Sequence, residues 1–312
     1  MSGARLAGLA ALFGSVALVA GVDIVDEVRS ACAARNFTLA DREIQSYRST
    51  AGVTEDLLEA LSWLARSTMD DKQYDRADAY ATETRQLSLD LLKRMGQGTA
   101  PMVTALGAAI EVHAQVLAAR GQRPEAIAYL KTELATWTGS PIAARIQKNI
   151  NLLGLEGKPA PALDASHWLG ARPPSLAALK GHPVLLFFWA HWCADCKAEV
   201  PILARLMQSD GPQGLVLIGP TQTYGYTAEG DATPEAETRY IEQVRREFYA
   251  PLGSMTVPLS SANFQNYGCS TTPTLVLLDR AGMVQLYHPG AMSYAALAAQ
   301  VRRVLVAHSS HS

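Results

Sequence analysis

The stretch Trp189-Ala190-His191-Trp192-Cys193-Ala194-Asp195-Cys196-Lys197-Ala198-Glu199-Val200-Pro201 decides the reading of this chain. Its first residues end the apolar run Val184–Ala190. A buried strand feeding a Cys-x-x-C at a helix start is the layout of a thiol–disulfide redox site. Cys193 falls in the first turn of the predicted helix, where unpaired backbone N–H groups and the helix dipole favour an anion. The thiolate is the reactive form of cysteine, so Cys193 is the expected nucleophile. Cys196 lies one turn further in, where it can resolve a mixed disulfide. A structural zinc site would need a second Cys/His pair at suitable spacing, and the sequence has none.

Outward from this motif the pattern alternates. Val184–Ala190 reads as a strand, Ala194–Met207 as a helix, Leu215–Gly219 as a strand and Pro234–Tyr249 as a helix. Strands are predicted at Thr274–Leu278 and Met283–His288, joined by Arg280-Ala281-Gly282, and Ser293 caps a last helix, Tyr294–Ala307. Such alternation makes an α/β layout with a mixed central sheet flanked by helices. The segment Pro220–Thr233 is longer than a strand–helix link needs. It reads either as a lid that touches substrate or as a solvent loop with packed tyrosines.

Residues 30–153 read as helix after helix: Thr54–Ser67, Tyr74–Met95, Pro101–Ala119, a segment from Pro124 through Trp137, and Ile142–Leu153. Two helix–turn–helix units stand out. Trp63-Leu64-Ala65 leads to Tyr74, Ala77 and Tyr80, and Val116–Ala119 leads to Ala126 and Tyr129. Small residues at close-packing positions resemble tetratricopeptide hairpins, but Ala77 to Ala126 exceeds one such repeat, so a plain bundle is an equal reading. Composition shifts at Gly154–Pro161. The expected organisation is therefore multi-domain: 1–22 a leader or anchor, 23–153 an α-helical domain, and 154–312 the α/β domain.

In the leader, Arg5 precedes the uncharged apolar run Leu6–Val22, and Asp23, Asp26 and Glu27 follow it. The run admits three readings: a signal peptide cleaved near Val19-Ala20-Gly21, a membrane anchor formed by residues 6–22, or a buried N-terminal helix. The first two imply an exported, periplasmic or extracytoplasmic protein, either soluble after cleavage or tethered. Export would place the cysteines where disulfides form. Of the 312 residues 48% are hydrophobic and 18% charged, and the net charge of −2 argues against nucleic acid or an anionic membrane surface as partner. Four cysteines in a chain this long do not make a disulfide framework. Cys193 and Cys196 form the one close pair, Cys269 reads as a small buried core residue, and Cys32 is remote.

From about Gly157 to about Ala307 the chain resembles the thioredoxin-like domain of the TlpA/ResA group of thiol–disulfide oxidoreductases. Gly157-Lys158-Pro159-Ala160-Pro161, Ser175–Gly181, Trp189–Cys193 with Cys196, and Thr272-Pro273-Thr274 carry the resemblance. It implies a redox-active Cys193–Cys196 disulfide and no other cofactor. It implies a cis peptide before Pro273, with Trp192, Thr272 and Pro273 at the substrate, and proton transfer through Glu199. Many thioredoxins carry a buried Asp in the strand before the motif; Phe187 occupies that place here, which leaves the proton role to Glu199. Ala194-Asp195 departs from the usual proline-containing dipeptide. Asp195 disfavours the thiolate, whereas His191, if protonated, favours it. Asp195 and the resemblance lean the pair to the reducing side.

The expected activity is reduction of protein disulfides, with a protein thiol/disulfide substrate and an electron-donor redox protein as partners and the helical domain available to a further protein. Two other classes stay open: an interaction scaffold with a subordinate redox pair, and a thiol peroxidase on the same fold, which would want a single peroxidatic cysteine rather than Cys-x-x-C. A copper chaperone through His288 has the wrong spacing.

Overall fold

The computed structural model describes residues 23–306; the leader run and the last residues, including Ala307, lie outside the described residues. Seven helices come first: α1 (Ile24–Ala33), α2 (Phe37–Ala51), α3 (Glu55–Asp70), α4 (Tyr74–Met95), α5 (Ala100–Ala119), α6 (Arg123–Thr136) and α7 (Ala143–Gly154). The helical region starts six residues earlier than the sequence pattern suggests, because Asp23 caps α1 by accepting the Val25 N–H. Small residues bring neighbouring helices close: Ala65 of α3 and Ala77 and Ala81 of α4 share one core with Val112 and Val116 of α5. Helix α5 is apolar nearly all round and long enough to cross a membrane, and its neighbours bury much of it.

The second half comprises β1 (Trp168–Leu169), β2 (Val184–Phe188), α8 (Ala194–Asp210), β3 (Val216–Ile218), β4 (Tyr226–Thr227), β5 (Gly230–Asp231), α9 (Pro234–Phe248), β6 (Val257–Pro258), α10 (Ser261–Asn266), β7 (Thr274–Leu278), β8 (Val284–Pro289) and α11 (Tyr294–Val306). The central sheet runs β3-β2-β7-β8, with β2 parallel to β3 and antiparallel to β7, and β7 antiparallel to β8. All five residues of β2 are buried, as both faces of the sheet are covered. Leu185 and Phe187 point into a core shared with α8, α9 and α11. Val184, Leu186 and Phe188 point the other way, toward Phe264, Tyr267 and Leu155.

Two readings need correction. Strand β2 stops at Phe188 rather than Ala190, because Trp189 leaves the ladder: its backbone N–H donates to Pro220 O and its indole Nε1 to Gly219 O. The segment Pro220–Thr233 is not plain loop, since β4 and β5 pair within it. The boundary segment Gly154–Pro161 also bonds to the sheet. Gly157 N donates to Val284 O, Val284 N to Lys158 O, and Ala160 N to Gly282 O, so the segment is tied along β8.

Candidate redox site

Cys193 is the N-cap of α8 and Cys196 sits one turn in. The two sulfurs are joined as a disulfide with a Cα–Cα distance of 5.3 Å, and the Cys196 N–H donates to Cys193 Sγ at 3.0 Å. Cys193 is 3% exposed, Cys196 is fully buried, and Trp192 beside them is 49% exposed. The pair thus lies just under the surface at the helix N-terminus, where the unpaired amides favour a thiolate once the bond is reduced.

The sheet register carries a second loop to the same end. Phe188, the last residue before the cysteine turn, pairs with Thr274, the first after Pro273. The Thr272–Pro273 peptide is cis, Pro273 is buried, and its carbonyl accepts from Gly290 N at 2.8 Å. The Thr272 hydroxyl is buried with no protein partner.

Glu199 lies one turn beyond Cys196 on α8 and is 1% exposed. Burial pushes its carboxyl above the usual range; a hydrogen bond from Met292 N–H to Oε1 at 3.3 Å offsets part of this. Phe187 is fully buried in the same core as both cysteines, so no carboxylate stands in the preceding strand.

His191 differs from its sequence reading. It is 2% exposed, and burial holds its imidazole below the usual histidine range despite a contact with Glu237. It is therefore neutral at pH 7 and does not draw the thiol toward the thiolate. Asp195 is exposed. The sequence reading missed Glu237, which is fully buried on α9 and meets His191 Nε2 at 3.1 Å. Its surroundings, Pro234-Glu235-Ala236-Glu237, look like solvated first-turn acids, and only the folded chain brings His191 and the Tyr224 and Gly225 amides onto its carboxylate. Cys269 is buried and its thiol is pushed well above the usual range by burial, while Cys32 is buried in the helical region and likewise raised.

A family model for a thioredoxin-like domain matches residues 174–305. Among curated proteins the chain is 29% identical over 141 residues to the thioredoxin-like protein YneN of Bacillus subtilis, covering 44% of this chain and 74% of that one. It is 29% identical over 145 residues to the thiol:disulfide interchange protein DsbE of Xylella fastidiosa, covering 45% and 64%. It is 27% identical over 128 residues to the thiol–disulfide oxidoreductase ResA of Bacillus anthracis, covering 41% and 66%. The alignments thus span slightly under two thirds of the DsbE and ResA relatives. With the mixed sheet, the disulfide at the start of α8 and the cis-proline loop, these matches make the C-terminal half of this chain a thioredoxin-like domain.

Proposed function

We propose that the chain is an exported thiol–disulfide oxidoreductase that reduces protein disulfides. The observation that carries this reading is the Cys193–Cys196 disulfide at the N-terminus of α8, in register with the Thr272–Pro273 loop. In the reduced protein, the Cys193 thiolate attacks one sulfur of a substrate disulfide. A mixed disulfide forms and the other substrate sulfur leaves as a thiolate. Cys196 gives its proton to the Glu199 carboxylate and attacks Cys193 Sγ. The second substrate thiolate leaves, and the protein is oxidised by two electrons. A dithiol electron-donor protein reduces the pair again. Trp192, Thr272 and Pro273 line the substrate's approach, and no metal or further cofactor takes part. The apolar run at 6–22 supports export, with cleavage or anchoring as its two forms, and the helical region supplies a surface for a partner protein.

Equilibration of the purified protein with glutathione buffers tests the direction of flow. Proteins of this fold span about −120 to −270 mV. The expected potential is below about −200 mV; a value at the oxidising end overturns the reductase reading.

Glu199→Gln tests the proton transfer. Burial raises the Glu199 carboxyl in the folded protein, so its contribution to stability is fully present below the unfolded value and is lost as pH rises through the higher folded value. Wild-type stability should therefore fall as pH climbs from about 4.5 toward neutrality, with a flatter slope in the Gln variant. Disulfide reduction should drop by about 100-fold, within the usual range for a lost general acid–base group. Denaturant midpoints and turnover at several pH values read both effects. Equal slopes and unchanged turnover would remove Glu199 from the mechanism.

A further inference from the structure

The buried Glu237–His191 pair of the thioredoxin-like domain takes no part in the steps above. Glu237 Oε1 accepts the Tyr224 N–H at 2.5 Å and lies 3.1 Å from His191 Nε2, and Oε2 accepts the Gly225 N–H at 2.7 Å. Three donors converge on this group, an arrangement that suits a carboxylate anion, and His191 then carries its hydrogen on Nε2. The donors come from two places. His191 belongs to the turn that ends at Cys193, and Tyr224 and Gly225 belong to the segment that holds β4 and β5. Tyrosines close the pair in: the His191 ring meets Tyr224, Tyr226 and Tyr240 edge-on at centroid distances of 5.7, 5.3 and 5.3 Å. Tyr224 in turn meets the Trp192 ring edge-on at 5.5 Å. One carboxylate therefore ties the cysteine turn, the Tyr224 wall and α9 together.

A buried anion is a costly fastening. Taking a carboxylate out of water costs several kcal/mol, and only well-aimed donors offset it. Its charge also acts beyond the fastening. A negative charge held against His191, in the turn that ends at Cys193, opposes the thiolate, and a dithiol whose thiolate is disfavoured gives up its electrons more readily. Burial keeps His191 neutral at pH 7, so it does not cancel that charge.

We propose that Glu237 is a positioning residue of the redox site: through His191 and the Tyr224 and Gly225 amides it fixes the wall beside Cys193, and its buried charge biases the Cys193–Cys196 pair toward the reducing side. The proposal rests on the reading of that pair as the redox centre.

The test uses the full chain with Glu237→Gln and Glu237→Asp. Thiolate absorbance gives the Cys193 titration, and glutathione equilibria give the potential. The Gln variant should shift the equilibrium about tenfold toward the dithiol, about 30 mV, with a lower Cys193 pKa. The Asp variant keeps the charge and should stay within about threefold of wild type. A merely structural role would lower the melting temperature of both variants and leave the potential in place, and that result overturns the proposal. If the wild-type pair does not exchange with glutathione at all, the reading of the site itself falls, and this proposal with it. Should the Gln variant not fold, amide exchange in the wild-type protein decides. Tyr224 and Gly225 should exchange much more slowly than Thr223, and equal rates would overturn the proposal.

Discussion

Cys196→Ser should turn the protein into a trap: it forms a mixed disulfide through Cys193 and holds it, with multiple turnover lowered by at least about a thousandfold. The asymmetry of the pair is the reason. Cys193 caps the helix beside exposed Trp192, whereas Cys196 is fully buried behind it with its N–H on Cys193 Sγ. An incoming sulfur therefore meets Cys193 first. Release of the substrate then depends on Cys196, held within bonding reach. Well-placed intramolecular groups act at effective concentrations of about 10⁵ M or more, and an external thiol at millimolar concentration is a poor replacement. The other two thiols offer no detour. Cys32 and Cys269 are buried, and burial raises both above the range where thiolate forms at neutral pH. The measurement is a non-reducing gel and peptide mass spectrometry after mixing reduced variant with a disulfide-bonded protein. Cys193→Ser should give no adduct. Equal adduct yield in the two variants, or an adduct on Cys269, would sink the assignment of nucleophile and resolving residue.

What could be read in the sequence follows the range of the interactions concerned. The strand before Cys193, the helix after it and the β7–β8 hairpin are written in runs of apolar residues and in a turn at Arg280-Ala281-Gly282, all local signals. Trp168–Leu169 and Val257–Pro258 form a strand pair of two residues each, too short to show any period. Helix α10 has only six residues and is set by the Ser260 side chain capping it and by the Asn263 amide bonding to Asp164 O. At the site, Cys193, Cys196 and Pro273 are marked by their own spacing. The proton role proposed for Glu199 depends on burial, and burial depends on Met292 and α11 far along the chain. Glu237 was illegible for the same reason. Its carboxylate is turned inward by His191 and by two amides of a loop, and no local pattern in Pro234-Glu235-Ala236-Glu237 records those partners.

Gly268→Ala should cost about 3 kcal/mol, the sum of two effects at one position. Gly268 has φ +61°, and a side chain in the left-handed region costs roughly 1–2 kcal/mol. A Cβ there would also lie against Lys148 N, 2.6 Å from Gln147 C and 2.7 Å from Lys148 Cα, which are backbone atoms of α7. Overpacking of this kind costs roughly 1–3 kcal/mol, and a helix backbone cannot yield as a side-chain tip does. The contact is where the helical region meets the thioredoxin-like domain: Asn151 Nδ2 reaches Asn266 O at 3.5 Å, and Leu155 packs in the core beneath β2 and β7. Gly282→Ala is the control. It shares a positive φ, +82°, but a Cβ there meets nothing within 4 Å, so only the conformational cost of about 1 kcal/mol applies. Chemical denaturation of the two variants separates the terms. A loss at Gly268 no greater than at Gly282 would mean that α7 gives way freely and that the junction is loose. A loss several times larger would mean that α7 is firmly seated against Gly268, four residues before Thr272.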